Sequence, residues 1–103
     1  MTVVVVATIR PLPDRRAEVV AAMEAVIART HAEDDGCLLY ALHQAPDRLV
    51  MIEKWSSQEA LAAHLSGPAI AELQQKTDGL LAAPADILTL QPHPAGTADQ
   101  GAL

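Results

Sequence analysis

GCLLYALHQAPDRLVMIEKWSSQEALAAHL, residues Gly36 to Leu65, decides how the rest of this chain reads. Two apolar, β-prone runs, Cys37–Gln44 and Arg48–Trp55, flank Ala45-Pro46-Asp47. Pro and Asp in a short gap between such runs mark a hairpin loop. Ser56, with Glu59 three residues on, has the pattern of a capping box and opens a helix. Leu61, His64 and Leu65 then share one helix face by their i, i+3, i+4 spacing.

Side-chain parity says what the hairpin presents. A three-residue loop, Ala45–Asp47, pairs Gln44 with Arg48 and sets His43 opposite Leu49, Ala41 opposite Met51, Leu39 opposite Glu53 and Cys37 opposite Trp55. Tyr40, Leu42, Val50 and Ile52 take the other face. A two-residue loop breaks this pairing, because a slip of one residue turns a whole strand over. Glu53 and Trp55 share a face under either loop; His43 joins them only under the first.

Outward from this stretch, Val3–Ile9 is a β-branched run, apolar on both faces, as expected of a strand covered on both sides. Pro11 and Pro13 end it. From Asp14 to Glu33, Val19, Val20, Met23, Val26 and Ile27 recur at helical spacing, with Arg15, Arg16, Glu18 and Glu24 mostly opposite. Gly36 lies just past that helix. After the short helix Ser57–Leu65, Gly67-Pro68 breaks the chain, and Pro68 suits the first position of a third helix over Pro68–Thr77. Ala85–Gln91 reads as a last strand. Residues 1–91 form a single domain, and the tail, PHPAGTADQGAL (92–103), reads as disordered. The order strand, helix, strand, strand, broken helix, strand predicts an α+β fold, the ferredoxin-like βαββαβ sandwich. Such a fold has helices on one side of the sheet only. The other face, expected to carry Leu42, Val50, Ile52 and Tyr40, is apolar, and a homodimer through the sheet covers it most simply.

Composition narrows the function classes. At 103 residues the chain is one domain, half hydrophobic, with no Phe, one Tyr and one Trp. A net charge of −6 without a Lys/Arg cluster argues against nucleic-acid and anionic-membrane partners. One Cys excludes an internal disulfide. The start, MTVVVVATIRP, is too short for a membrane span and lacks the basic region of a signal peptide, so the expectation is a cytoplasmic protein. H-E-x-x-H, C-x-x-C, G-x-S-x-G and phosphate-loop patterns are all absent and the four His are scattered, so no metal, flavin or haem is expected.

The segment Glu33-Asp34-Asp35-Gly36-Cys37-Leu38-Leu39-Tyr40, the strand end Glu53-Lys54-Trp55 and the helix Leu61-Ala62-Ala63-His64-Leu65 together resemble the antibiotic biosynthesis monooxygenase family, and within it the small bacterial quinol monooxygenases. The resemblance covers residues 2–91. It implies a dimeric α+β barrel with a cavity between sheet and helices. It also implies a cofactor-free oxygenase acting on a hydroquinone-like or polycyclic phenolic substrate. Relatives in the superfamily degrade haem or isomerise sugar phosphates, so fold is implied more firmly than reaction. The haem-degrading members use an Asn near the end of the first strand; here that strand offers Ala7 and Thr8.

Oxygen is a triplet and reacts slowly with closed-shell molecules. Without flavin or metal, the substrate must donate an electron itself, which an ionised phenol can do. The protein then supplies a base, a dry pocket and orientation. His64 is the candidate base, because imidazole titrates near neutrality. Glu53 is placed to orient it or to act as base once burial raises its pKa. Trp55 and Met51 are candidate walls for a flat substrate, with His43 a further binding candidate. The plainer alternatives are a surface His64, a core Trp55, a Glu53 bonded to backbone N–H groups or to Arg10, and a Tyr40 at the dimer interface.

Overall fold

The computed structural model describes every residue, Met1 to Leu103. Strands β1 (Val3–Ile9), β2 (Cys37–Ala45), β3 (Arg48–Trp55) and β4 (Asp86–Leu90) form one sheet in the order β2-β3-β1-β4. Every neighbouring pair is antiparallel. β1 and β2 thus run parallel with β3 between them, and β3 and β4 with β1 between them, the two split βαβ units of a ferredoxin-like fold. A 3-10 turn at Pro13–Arg15 leads into α1 (Arg16–Glu33), which fills the first crossover. α2 (Gln58–Leu65) and α3 (Pro68–Thr77) fill the second. No helix is long and apolar enough to cross a membrane.

The core follows strand parity. Val3, Val5, Ala7 and Ile9 of β1 and Leu49, Met51, Glu53 and Trp55 of β3 are buried, while the residues between them are half-buried. Val19, Met23 and Val26 of α1 and Leu61 and Ala69 of α2 and α3 close over this face. The opposite face carries Val4, Val6, Val50 and Ile52 and has no helix packed on it, while Lys54 of the same face donates to the Leu103 carbonyl of the C-terminal tail.

The hairpin loop is shorter than the three residues read from the sequence. Ala45 pairs with Arg48, leaving Pro46-Asp47 as a two-residue loop, and the register slips by one. Arg16 of α1 donates to the Ala45 carbonyl at 2.8 Å and holds the turn against the helix. Tyr40 now lies opposite Glu53 and Leu42 opposite Met51, on the helix-covered face. His43 lies opposite Val50 on the uncovered face and is exposed. The register shifts back between Cys37 and Leu39, where a bulge leaves Leu38 unpaired and exposed. That bulge restores Cys37 to its place opposite Trp55.

The cap of α2 also moves by one. Ser57, not Ser56, is the N-cap, its hydroxyl accepting from the Ala60 N–H at 3.1 Å. Ser56 is held instead by its own N–H, which donates to the Gly36 carbonyl at 2.9 Å. This close approach explains Gly36. A Cβ there would overlap Ala60 Cβ and lie 2.9 Å from Ser56 Oγ. Gly36→Ala should therefore destabilise the fold by about 1–3 kcal/mol, the usual cost of overpacking. A urea unfolding curve superimposable on wild type would show that α2 yields freely.

Candidate functional site

β3, β2 and α2 converge at the Val3 end of the sheet. Trp55 is the last residue of β3, and only Ser56 and Ser57 separate it from α2. The helix must double back over its own strand, which brings His64 onto Trp55. Their ring centroids lie 4.4 Å apart with planes inclined by 34°. Tyr40 packs edge-on against both, 5.1 Å from His64 and 6.1 Å from Trp55. Trp55 is fully buried and His64 is 3% exposed, so the imidazole faces the interior rather than solvent.

Two carboxylates complete the cluster, and their partners differ from the expectation. Glu53 does not orient His64 and does not meet Arg10. It accepts from the Trp55 indole Nε1 at 2.9 Å. His64 Nδ1 instead lies 2.7 Å from Asp34 Oδ2. Asp34 caps the C-terminus of α1, its N–H donating to the Thr30 carbonyl at 3.0 Å. A carboxylate only accepts, so in a neutral ring this contact favours the proton on Nδ1 and leaves Nε2 as the nitrogen with the lone pair.

Burial sets the ionisation of this group. Loss of hydration pushes the Glu53 carboxyl up to about 7, against the opposing pull of the Trp55 hydrogen bond. The Tyr40 hydroxyl is pushed up as well, first by burial and then by the Glu53 charge, so it stays protonated. The shift on Glu53 makes a stability prediction. Below pH 4.5 the carboxyl is protonated whether folded or not; as pH rises towards 7 the unfolded chain ionises first, and stability falls. A rise from 4.5 to about 7 corresponds to roughly 3 kcal/mol. Glu53→Gln keeps the acceptor for Trp55 and removes the charge. The variant should match wild type near pH 4.5 and exceed it by up to about 3 kcal/mol above pH 7. Urea denaturation at the two pH values checks this, and an identical gap at both would contradict it.

A cavity of about 660 Å³ lies on the same sheet face but at its other end, between Ile9, Met23, Ile70, Leu73, Leu81 and Ile87. The sequence-level expectation of a cavity walled by Trp55 and Met51, with His64 and Glu53 as its polar groups, is corrected here. None of those four lines it. The indole, imidazole and phenol fill their own end of the sheet, whereas Gly79, Ala82, Ala83 and Ala85 leave space at the other. Leu65, next to His64 on α2, is part of the cavity wall. Gln74, Thr77 and Asp78 are its polar side chains.

Of the five residues singled out in the sequence, the structure brings Glu53, Trp55 and His64 together, buries Met51 on the same face and turns His43 away. Tyr40 and Asp34 belong to the cluster without having been assigned to it. The two-residue reading of the loop would have placed Tyr40. For Asp34 the only sign was its place in the Glu33–Tyr40 segment.

A family model described as antibiotic biosynthesis monooxygenase matches residues 2–76. Rv0793 of Mycobacterium tuberculosis is 35% identical over 92 residues, spanning 87% of this chain and 90% of that protein. Its structure superposes with a TM-score of 0.85, covering 94% of this chain and 100% of the other. PA3566 from Pseudomonas aeruginosa is 26% identical with a TM-score of 0.78, over 86% of this chain and 91% of that one. The cluster at the strand end and the family pattern fall within the same residues, and the chain belongs to the antibiotic biosynthesis monooxygenase family.

Proposed function

We propose that this protein is a cofactor-independent monooxygenase that oxidises a hydroquinone-like or polycyclic phenolic molecule with O2. The observation that carries this reading is the His64 imidazole. It is buried, lies against Trp55, has Nδ1 occupied by Asp34 and keeps Nε2 free. An imidazole so held is a proton acceptor in an apolar setting, and loss of a phenolic proton is what makes the substrate electron-rich enough to reduce oxygen. A hydroquinone ring that gains one oxygen atom as a hydroxyl and leaves as the quinone releases the second oxygen as water. Both electron pairs come from the substrate, so the balance needs no outside reductant. Glu53, poised near neutrality, is the second proton acceptor of the cluster. The 660 Å³ cavity, mostly apolar with few polar groups, has the size and make-up of a small-molecule site.

A non-catalytic binding module on the same fold is the alternative, and the separation of the cavity from His64 and Glu53 favours it. A sugar phosphate is a poorer ligand, because the cavity wall includes no Lys or Arg. Oxygen uptake by the purified protein with a panel of hydroquinones and anthrones separates the readings. The proposal expects one O2 consumed per quinone formed, unchanged by dialysis against a chelator and without a flavin spectrum. Saturable binding of these compounds with no oxygen uptake would favour the binding module.

The proposal includes a homodimer formed through the uncovered sheet face. Val4 and Val6 of β1 and Val50 and Ile52 of β3 lie side by side there, half-buried in the single chain. A contiguous apolar face of this kind suits a two-fold partner. Ile52→Asp should halve the mass measured by sedimentation at micromolar concentration. Wild-type protein that already sediments as a monomer would end this part of the reading.

A further inference from the structure

We propose that Asp34 is the positioning residue of the site: it fixes the tautomer and the ring orientation of His64, so that Nε2 is the atom offered to the substrate. This rests on the reading of His64 as the base. The contact is short, 2.7 Å from Nδ1 to Oδ2, and joins residues 30 apart in sequence. Its environment is asymmetric. The His64 side chain is 2% exposed and the Asp34 side chain 28%. The carboxylate therefore keeps part of its hydration, while the ring it holds does not.

Asp34 is itself built to be held still. Its N–H donates to the Thr30 carbonyl at 3.0 Å, and its own carbonyl accepts from the Cys37 N–H at 3.0 Å. Two residues on, the Gly36 carbonyl accepts from the Ser56 N–H at 2.9 Å, just ahead of α2. The end of α1, the start of β2 and the entry to α2 are thus locked together by main-chain bonds, with the carboxylate and the imidazole projecting from two of them. A ring flanked by Trp55 and Tyr40 has little freedom to tilt. The remaining freedom is which nitrogen carries the proton. A neutral imidazole donates from one nitrogen and accepts at the other, and only a partner that cannot donate forces the proton onto Nδ1. Glu53 cannot share this task, since its hydrogen bond goes to the Trp55 indole.

The test is the tautomer. Two-bond 1H–15N correlation spectra of wild-type protein should show His64 with a proton on Nδ1 and none on Nε2 in its neutral form. Asp34→Asn presents an amide of nearly the same shape whose NH2 can donate to Nδ1, and should shift His64 towards the Nε2–H form. Asp34→Glu should restore the wild-type form at least in part. With a hydroquinone that the wild type turns over, Asp34→Asn should lower kcat by about 10²–10⁴-fold with KM little changed, as expected when a base presents the wrong nitrogen. An Nε2–H tautomer in the wild type, or an unaltered tautomer in Asp34→Asn, overturns the proposal. Should no hydroquinone be oxidised at all, the oxygenase reading fails, while the wild-type and Asp34→Asn spectra still decide what Asp34 does to His64.

Discussion

His64→Ala is expected to lower turnover of a hydroquinone by about 10²–10⁴-fold, the range that loss of a general base commonly spans. The geometry behind the figure is the free Nε2 of a ring whose other nitrogen is bound to Asp34. His64 is also part of the packed interior at 3% exposure, so the substitution opens a void beside Trp55. A thermal melt must accompany the assay, and the loss of turnover should persist at a temperature where the variant is fully folded. His64→Gln, closer in volume, should lose turnover to a similar extent with less loss of stability. Unchanged turnover in both variants would move the proton acceptor to Glu53 or to the substrate itself.

Trp55→Ala should have the largest effect on the fold, about 3–5 kcal/mol, the usual cost of truncating a fully buried large aromatic. Domains of this size have some 5–15 kcal/mol in all, so the substitution removes between about a fifth and the whole of that stability. Two effects add to the void. Glu53 loses the one hydrogen bond to its buried carboxylate, and the His64 ring loses its neighbour at 4.4 Å. Trp55→Phe separates these contributions, because it keeps most of the packing and removes only the indole N–H. Guanidinium unfolding of the two variants measures them. A loss below about 1 kcal/mol in Trp55→Ala would mean that the cluster collapses to fill the space.

Much of the site was legible because β3 and α2 are adjacent in sequence. A period of two is enough to put Met51, Glu53 and Trp55 on one face, and a short connection after Trp55 forces α2 back over it. These are properties of one strand and the helix that follows, and they need no knowledge of any other element. β2 was harder. Leu39, Leu42 and Ala41 are apolar on both of its faces, so hydrophobic pattern could not choose between registers. Loop length became the deciding quantity, and one residue exchanged His43 for Tyr40 in the cluster. The bulge at Leu38 left the Cys37–Trp55 pairing intact despite that slip.

By itself, then, the sequence determined the order of the elements, the split βαβ plan of the sheet, and the face shared by Glu53 and Trp55 with His64 above it. All of these follow from local periodicity and short connections. Only the tertiary structure decided the pairing of His64 with Asp34 across 30 residues, the buried setting that raises the Glu53 carboxyl, and the position of the cavity. The physical reason is common to the three. Each depends on how side chains from separate elements fill the space between sheet and helices. Three rings close one end of that space and small residues leave the other open, an outcome that no single segment contains.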